Sequence, residues 1–231
     1  EQLERLIEGQ IEQEKTLKKA ELRALQAQIT PHFVYNTLET IIWLAEEENT
    51  RAVVDVTMAF TDFLRISLSG GQDFISVEKE EQHVRSYLLI QSVRYGSIMR
   101  YTIDIDPALA DKRMLKLMLQ PLVENAIYHG LKYKETKGNL DIRGYRRGNR
   151  VCLVVADDGA GMEESELEHI LEKKEKKTKS NGVGVYNVQK RLQLYYGAEY
   201  GISYISRKGE GTVATVTIPL DGGKSNEETG R

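Results

Sequence analysis

The chain has 231 residues, of which 40% are hydrophobic and 29% are charged, and its formal net charge is −3. This composition predicts a globular protein with enough apolar material for one large or two small domains. It excludes recognition through a global positive charge, so we expect no nucleic-acid partner. The single cysteine, Cys152, excludes an internal disulfide and is expected in the core of a strand.

The first 75 residues are predicted to be helical. One long helix is predicted over residues 1–48. Its residues 1–20 are predicted to be a signalling helix that continues from an upstream region, and a solvated tail is the alternative for these twenty residues. The apolar stripe of this helix is narrow and suits pairing with another helix. A second helix is predicted over residues 51–68, with Thr50 as its cap. The two helices form a hairpin over residues 21–75, and two hairpins make a four-helix bundle, which predicts a homodimer.

The long helix contains a histidine in an unusual setting. Pro31 directly precedes His32, and a proline inside a helix removes a backbone donor and clashes with the preceding turn, at a cost of about 3 kcal/mol. Apolar residues continue at helical spacing on both sides of the proline, so we expect a kinked helix. His32 lies at the margin of the apolar stripe, where its imidazole reaches solvent; a structural histidine is the alternative.

Beyond residue 76 the pattern becomes mixed. Helices are predicted over residues 77–94, 112–131 and 182–196, and strands over residues 101–105, 140–145, 150–156, 201–207 and 211–220. The two kinds of element do not alternate regularly enough for a doubly wound parallel sheet, so the fold class is α+β, with helices on one face of the sheet. Residues 76–220 form this domain, and the polar residues 221–231 are predicted to be disordered.

The stretch LQPLVENAIYHGLK, residues 119–132, carries polar side chains on a predicted helix. Asn125 and His129 are four residues apart and share one face. An amide oxygen that faces a cleft is a suitable ligand for a Mg2+ ion that keeps several waters and is otherwise held by nucleotide phosphates. A polar stripe on a surface helix is the alternative.

The stretch VVADDGAGM, residues 154–162, is predicted to be a buried strand followed by a turn. Asp157 ends the strand, where its carboxylate is placed to accept a hydrogen bond from an exocyclic amine such as that of adenine. Gly159 and Gly161 have no side chain that would block the close approach of a ligand. An ordinary strand-to-helix turn with a capping aspartate is the alternative.

The stretch NGVGVYNVQKRL, residues 181–192, places Gly182 and Gly184 directly before a predicted helix. Free backbone N–H groups and the positive end of the helix dipole make such a junction suitable for an anion. The loop before it is rich in lysine, and it either closes over a polyphosphate or is merely solvated.

In their order and spacing these stretches resemble the sensor histidine kinases of the LytS/YesM type, whose ATP domain belongs to the gyrase, Hsp90, histidine kinase and MutL (GHKL) superfamily. QITPHFVYNTLETIIWLA resembles the phosphoacceptor box, LQPLVENAIYHG the N box, DDGAGM and GVGVYNVQKRL the two glycine boxes, and GEGTVATVTIP the closing strand. The resemblance extends from Ala24 to Leu220. It implies an N-terminal helical hairpin that dimerises as a four-helix bundle, followed by an α/β-sandwich ATP-binding domain of the GHKL type.

The resemblance also implies roles for individual residues and partners. His32 is the expected phosphoacceptor, Asn125 the Mg2+ ligand and Asp157 the residue that binds adenine. The nucleotide site is further expected to contain His129, Lys132, Gly159, Gly161, Met162, Gly182, Gly184, Val185, Asn187, Arg191 and Thr212. The expected ligands are ATP and Mg2+, the expected macromolecular partners are a second copy of the chain and a response regulator receiver domain, and the expected location is the cytoplasmic side of a cell membrane. Because no apolar run reaches the roughly 18 residues of a membrane span, we expect the membrane anchor in a missing upstream segment.

One residue departs from the pattern of many histidine kinases. They carry an acidic residue directly after the histidine, whereas this chain has Phe33, so the general base is left open between Glu124 and Glu39. Asn36 is one turn from His32 and is expected to support a phosphatase activity. Two other functions stay open at this point: a dimeric scaffold that binds ATP without transferring its phosphoryl group, and a serine kinase with the same ATP fold.

Overall fold

The computed structural model describes residues 31–68, 73–171 and 183–222. The chain divides into two compact units, residues 1–35 and residues 36–231. Of the first unit the structure describes residues 31–35, which begin helix α1 (Pro31–Glu46). The predicted signalling helix, the part of the long helix before Pro31 and residues 223–231 of the predicted tail lie outside the described residues.

A short turn joins α1 to helix α2 (Thr50–Ser67). Asn49 caps α2, because its side-chain oxygen accepts the amide N–H of Ala52 at 3.2 Å. Thr50 is already the first helical residue, so the prediction that Thr50 is the cap is wrong by one position. The buried residues of α2 recur every three or four positions, as a helix with one covered face requires: Val56, Ala59, Phe63 and Ser67.

Helix α2 packs against helix α3 (Val77–Tyr95). The ring of Phe63 stacks on the ring of His83 with their centroids 4.5 Å apart, and it is tilted against the ring of Tyr87 at 6.2 Å. Near the end of α2, Ser67 Oγ and His83 Nε2 are 2.9 Å apart. Aromatic packing and one buried hydrogen bond therefore join helices α2 and α3, which both lie in the second unit.

Five strands form the main sheet, in the order β2, β4, β5, β7, β6. Their bounds are Met99–Ile105 (β2), Gly138–Arg147 (β4), Arg150–Asp157 (β5), Gly201–Arg207 (β6) and Gly211–Pro219 (β7). The pair β2 and β4 is parallel, and the other three pairs are antiparallel. Each predicted strand has a counterpart among them, with ends that differ by two residues at most.

The predicted helix over residues 112–131 is wrong in its first half. Residues Arg113–Leu115 form strand β3, which pairs antiparallel with β1 (Phe74–Ser76) in a separate two-stranded sheet. Leu117 then has a φ of 61°, a left-handed conformation that an α-helix cannot contain. Long-range pairing with β1 therefore overrides the local helical spacing.

The second half of that stretch is helical but not uniform. Helix α4 (Gln120–Asn125) has Pro121 in its first turn, where the missing N–H has no helical partner to lose. It continues as one π-helical turn (Ala126–Gly130) and one 3-10 turn (Leu131–Tyr133). Two further helices lie between β5 and β6 in the chain. They are α5 (Glu164–His169), which the sequence pattern did not predict, and α6 (Val183–Tyr196), as predicted.

The fold is α+β, as predicted, with N-terminal helices followed by a mixed sheet that carries helices. Along β4 buried and exposed residues alternate, with Leu140 and Ile142 fully buried, which is the pattern of a sheet covered on one face. Helix α6 contacts β6 and β7, and α3 contacts β2. No helix in the described ranges is both long and apolar enough to cross a membrane.

Candidate nucleotide-binding site

A cavity of about 480 Å³ opens in the domain that contains the sheet. Its volume lies within the range of about 300–1,000 Å³ that is usual for small-molecule sites. Residues of α4 and its π turn, β5, the loop after β5, α5, α6, β6 and β7 line the cavity. Seven of these lining residues were predicted to bind the nucleotide: Asn125, His129, Asp157, Gly161, Met162, Val185 and Thr212.

Asp157 is the last residue of β5, and its backbone pairs with Leu140 on one side and Thr212 on the other. Its Oδ1 accepts the amide N–H of Gly159 at 2.9 Å. Burial, together with the neighbouring charge of Asp158, raises the pKa of Asp157 to about 6 against the opposing effect of the backbone N–H groups of Gly159 and Thr212. A carboxyl group that lines a cavity is suited to accept a ligand N–H.

Asp158 has the opposite environment. Its oxygens accept the backbone N–H and the side-chain amide of Asn139, both at 2.7 Å, and Lys134 Nζ lies 2.8 Å from its Oδ2. Burial would raise the pKa of Asp158, but the hydrogen bonds from Lys134 and Asn139 outweigh it and lower the pKa. Asp158 therefore fastens the start of β4 to the end of β5, and only Asp157 of the pair lines the cavity.

The glycines of the first glycine box are required by contacts within the protein. A Cβ on Gly159 would collide with the backbone of Gly130, and a Cβ on Gly161, whose φ is +64°, would collide with the carbonyl of Arg207. The amide N–H of Ala160 also donates to the carbonyl oxygen of Gly130 at 3.1 Å. Gly159 does not line the cavity, so its main effect is to let the loop after β5 lie against the π turn.

Asn125 and Tyr204 meet in the cavity. Asn125 ends α4, and Tyr204 lies on β6. Burial raises the pKa of Tyr204, and an interaction with the Asn125 side chain lowers it. The Tyr204 hydroxyl oxygen is buried and makes no hydrogen bond of regular geometry within the described residues.

Tyr204 is the main lining residue that sequence reasoning missed, together with Leu122, Ser165, Glu166 and Ile170. Along β6 the less exposed residues are Ile202, Tyr204 and Ser206. Alternation along the predicted strand was therefore the signal for Tyr204. The others come from α4, whose start was predicted wrongly, and from α5 and the residue after it, which were not predicted.

Several predicted site residues do not line the cavity. Arg191 is buried, and its Nη2 donates to the carbonyl oxygen of Lys116 at 2.9 Å. Asn187 is buried as well, and Lys132 is exposed. At Gly184 an added Cβ would lie 3.3 Å from Pro121, so this glycine lets α6 approach α4. Gly182 lies outside the described residues.

Glu124 is also absent from the lining of the cavity. Its Oε1 accepts the side-chain amide of Gln120 at 2.9 Å, and burial raises its pKa. Its charge raises the pKa of Tyr87 and Tyr128, which places it towards α3. Glu39, the other candidate base, is exposed on α1.

His32 belongs to the first unit, and the cavity belongs to the second. The side chain of His32 is exposed on α1, and that of Asn36 is partly buried on the same helix. The backbone carbonyl of Asn36 accepts the Thr40 hydroxyl at 2.8 Å.

The residues at the cavity would supply few of the ligands of a metal ion, so water and nucleotide phosphates would have to supply the others. Among the residues that the structure describes, no group of three or more His, Cys, Asp or Glu side chains is arranged to hold a metal. Asn125 offers one amide oxygen. A Mg2+ ion that keeps several waters and binds the phosphates of a nucleotide needs no more than one or two protein ligands, so the donor set fits Mg2+ as part of a nucleotide complex.

Two protein-family models together match most of the chain. A family model described as "Histidine kinase" matches residues 20–99, and one described as "Histidine kinase-, DNA gyrase B-, and HSP90-like ATPase" matches residues 110–222. Sensor histidine kinase YesM of Bacillus subtilis is 35% identical over 214 residues, which are 93% of this chain and 36% of the relative. Sensor protein LytS of Oceanobacillus iheyensis is 34% identical over 209 residues, which are 89% of this chain and 35% of the relative.

Among solved structures, the histidine kinase domain of a blue-light activated histidine kinase from Erythrobacter litoralis matches with a TM-score of 0.49 at 15% identity, covering 89% of this chain and 93% of that one. The family assignment rests on the sequence matches. The chain consists of a histidine kinase region followed by an ATPase domain. It belongs to the sensor histidine kinases of the LytS/YesM type, and it spans 36% and 35% of the length of the two relatives named above.

Proposed function

We propose that this chain is the kinase core of a two-component sensor, which binds ATP in the cavity, transfers the γ-phosphoryl group to His32 and passes it on to an aspartate of a response regulator receiver domain. The observation that carries the proposal is that Asn125, Asp157, Gly161 and Thr212 line one cavity. These four residues come from two separate sequence boxes, the N box and the first glycine box, and from the closing strand. Their convergence is what a nucleotide site built from those boxes requires.

Asp157 is proposed to bind the adenine base. Its buried carboxyl faces the cavity from the end of β5, where it can accept the exocyclic N–H of adenine. Thr212 is opposite Asp157 on β7 and also lines the cavity, as do the apolar side chains of Leu122 and Val185. Apolar walls with one oriented acceptor are typical of sites that select a base.

The opposite end of the proposed nucleotide is assigned to Asn125 and His129, which lie on the helical turns between Gln120 and Gly130. Asn125 would hold Mg2+ through its amide oxygen. A bound Mg2+ ion supplies positive charge that stabilises the charge developing on the transferred phosphoryl group. His129 is exposed at the cavity, where its imidazole can donate to a phosphate oxygen.

The proposed reaction is an in-line displacement. A nitrogen of the neutral His32 imidazole forms a bond to the γ-phosphorus while the bond to the β–γ bridging oxygen breaks, and ADP leaves. The other ring nitrogen releases its proton to a base, for which Glu124 and Glu39 are candidates. Asn36, one helical turn from His32, is proposed to position water for dephosphorylation of a bound receiver. If so, Asn36→Ala should slow receiver dephosphorylation and leave autophosphorylation intact.

A homodimer is part of the proposal. Large apolar side chains are exposed on both helices of the hairpin, including Leu38 and Ile42 on α1 and Val54 and Met58 on α2. Each of these pairs is four residues apart and therefore shares a helix face. A second copy of the hairpin would cover these faces in a four-helix bundle. By analogy with the relatives, the whole protein is proposed to be anchored in the cell membrane, with this part in the cytoplasm.

Incubation with γ-labelled ATP tests the proposal. We expect a phosphoprotein whose label is lost in acid and stable in base, as a phosphoramidate is, and which does not form in His32→Gln. A second candidate function, an ATP-binding dimer without transfer, predicts nucleotide binding and no label. A serine kinase of the same fold predicts a label that survives acid. Either result would contradict the assignment of His32.

A further inference from the structure

The first turn of α3 carries a glutamate that is completely buried. Glu80 has 0% exposed surface. Its Oε2 accepts the backbone N–H of Leu117 at 2.8 Å, and its Oε1 accepts those of Met118 and Leu119 at 2.7 and 2.8 Å. A buried carboxylate is stable only when its oxygens are well hydrogen-bonded, and here three successive backbone amides supply those bonds.

The three amides directly precede α4. Leu119 is the N-cap residue of α4, and its side chain makes no capping hydrogen bond. The amides at a helix start need acceptors from outside the helix, and Glu80 supplies them from a different element. Leu117 is also held in the left-handed region, with a φ of 61°, a strained conformation for a residue with a side chain. The three hydrogen bonds to Glu80 stabilise this turn.

Arg191 holds the residue directly before these three amides. It lies on α6, is 3% exposed, and donates from Nη2 to the carbonyl oxygen of Lys116 at 2.9 Å. Burial raises the pKa of Glu80 and lowers the pKa of Arg191, and the attraction between the two charges opposes both shifts. Residues 116–119 are therefore fixed by α3 through their N–H groups and by α6 through a carbonyl group.

We propose that Glu80 and Arg191 are positioning residues, which clamp residues 116–119 and thereby set the place of Asn125 in the nucleotide cavity. The inference rests on the proposed function, because it assumes that Asn125 holds the metal of a nucleotide complex. Neither Glu80 nor Arg191 lines the cavity, so they act through α4. Because α4 has only six residues, a shift at its start is carried directly to Asn125 at its end.

The test compares ADP binding with and without Mg2+ for the wild type and for Glu80→Gln, by calorimetry on protein shown to be folded. Glutamine cannot accept all three amides. We expect the gain in ADP affinity that Mg2+ gives to fall about tenfold, the effect of losing a hydrogen bond to a charged acceptor. The matched control is Tyr196→Phe, which removes the hydroxyl that accepts the buried N–H of Leu115 at 3.0 Å in the strand just before the clamp. This control should lose stability and keep the Mg2+ gain.

A double variant separates the loss of the hydrogen bonds that position residues 116–119 from the effect of leaving one buried charge unpaired. Glu80→Met combined with Arg191→Met removes both buried charges, so no unpaired charge is left to unfold the protein. We expect it to have the same low Mg2+ gain as Glu80→Gln. If either Glu80 variant is folded and Mg2+ raises its affinity for ADP as much as in the wild type, the proposal is overturned.

One arm needs no variant. In the wild type, hydrogen exchange of the amides of Leu117, Met118 and Leu119 should be as slow as in the central strand β5, and exchange at the rate of an exposed loop would overturn the clamp. If the wild type fails to bind ADP, the proposed function fails, and the exchange rates still decide whether the clamp exists.

Discussion

Asp157 and Asp158 are neighbours in sequence and have opposite chemical roles. Asp158 accepts hydrogen bonds from Asn139 and contacts Lys134, which lowers its pKa. Asp157 is more deeply buried at the cavity, which raises its pKa to about 6. The sequence shows two aspartates before a glycine, and only the strand register of β5 decides which of them lines the cavity.

The raised pKa of Asp157 predicts a pH-dependent affinity for adenosine. Above about pH 6 the carboxylate is charged and accepts the exocyclic N–H of adenine strongly; as the pH falls through about 6 it becomes protonated and affinity drops. Adenosine is the probe because a terminal phosphate itself titrates near pH 6. Asp157→Asn should bind about tenfold more weakly at neutral pH and lose the pH dependence.

Purine riboside, which lacks the exocyclic amine, is the matched ligand for this titration. If Asp157 accepts a hydrogen bond from the exocyclic amine, the affinity of the wild type for purine riboside should hardly change between about pH 7.5 and about pH 5. Nuclear magnetic resonance titration measures both ligands. Equal pH profiles for adenosine and purine riboside would contradict the role of Asp157.

His83 gives a second pH effect at the residue scale, this time on stability. Burial lowers its pKa from 6.5 to about 3, and its Nδ1 has no hydrogen-bond partner within the described residues. Between pH 6.5 and about 3 the unfolded chain binds this proton and the folded chain does not. The stability that neutral His83 contributes is therefore present above pH 6.5 and is lost as the pH falls.

We expect His83→Phe to remove this part of the acid sensitivity. On going from about pH 7.5 to about pH 5.5, the wild type should lose about 1 kcal/mol more of its free energy of unfolding than His83→Phe does. Urea unfolding at the two pH values measures the difference. Ser67→Ala is the control: it removes the hydrogen-bond partner of His83 and keeps the titrating ring, so it should retain the acid sensitivity. Equal pH losses in wild type and His83→Phe would refute the assignment.

At the scale of elements, the hairpin helices have two kinds of apolar face. One face of α2 is buried, including Val56 and Phe63. A second set, which includes Leu38 and Ile42 on α1, is about half exposed, at 45% and 58%. Exposed apolar residues in register on a helix indicate an interface with another helix.

Dimerisation should therefore depend on this exposed set. Leu38→Asp combined with Ile42→Asp places two charges where the second copy would bury them, which should weaken the dimer about a hundredfold or more, while ADP binding by the separate cavity stays unchanged. Sedimentation velocity measures the molecular mass. Tyr133→Asp, at a tyrosine that is 70% exposed beyond α4, is the matched control and should stay dimeric. If the double variant has the molecular mass of the wild-type dimer, the proposed four-helix bundle is contradicted.

Helical spacing predicted some elements well and one badly. Helices α3 and α6 were predicted to within one residue, because long amphipathic runs are decided locally. The helix over residues 112–131 was wrong because residues 113–115 pair with β1, which lies almost forty residues earlier in the chain. The hydrogen bonds from residues 117–119 to Glu80 have the same origin. No local pattern reports a contact with a distant partner.

At the scale of the whole molecule, the order of the motifs predicted the α+β fold class, and the nucleotide-binding residues stay predictions. Asn125, Asp157 and Thr212 line one cavity as expected. Gly159 was expected to give room to a ligand and instead gives room to Gly130. Arg191 was expected at the nucleotide and instead holds a buried carbonyl. Sequence pattern identifies which boxes meet, and packing decides which side chains of each box face the cavity.

The most direct test of the account is to map the phosphorylated residue by mass spectrometry after incubation of the dimer with ATP and Mg2+, under neutral conditions that preserve phosphohistidine. The account predicts one modified peptide, with the phosphoryl group on His32, and a much lower yield of this peptide when Asn125→Ala or Asp157→Asn is used. A phosphoryl group on a serine, on a different histidine or on no residue at all would contradict it.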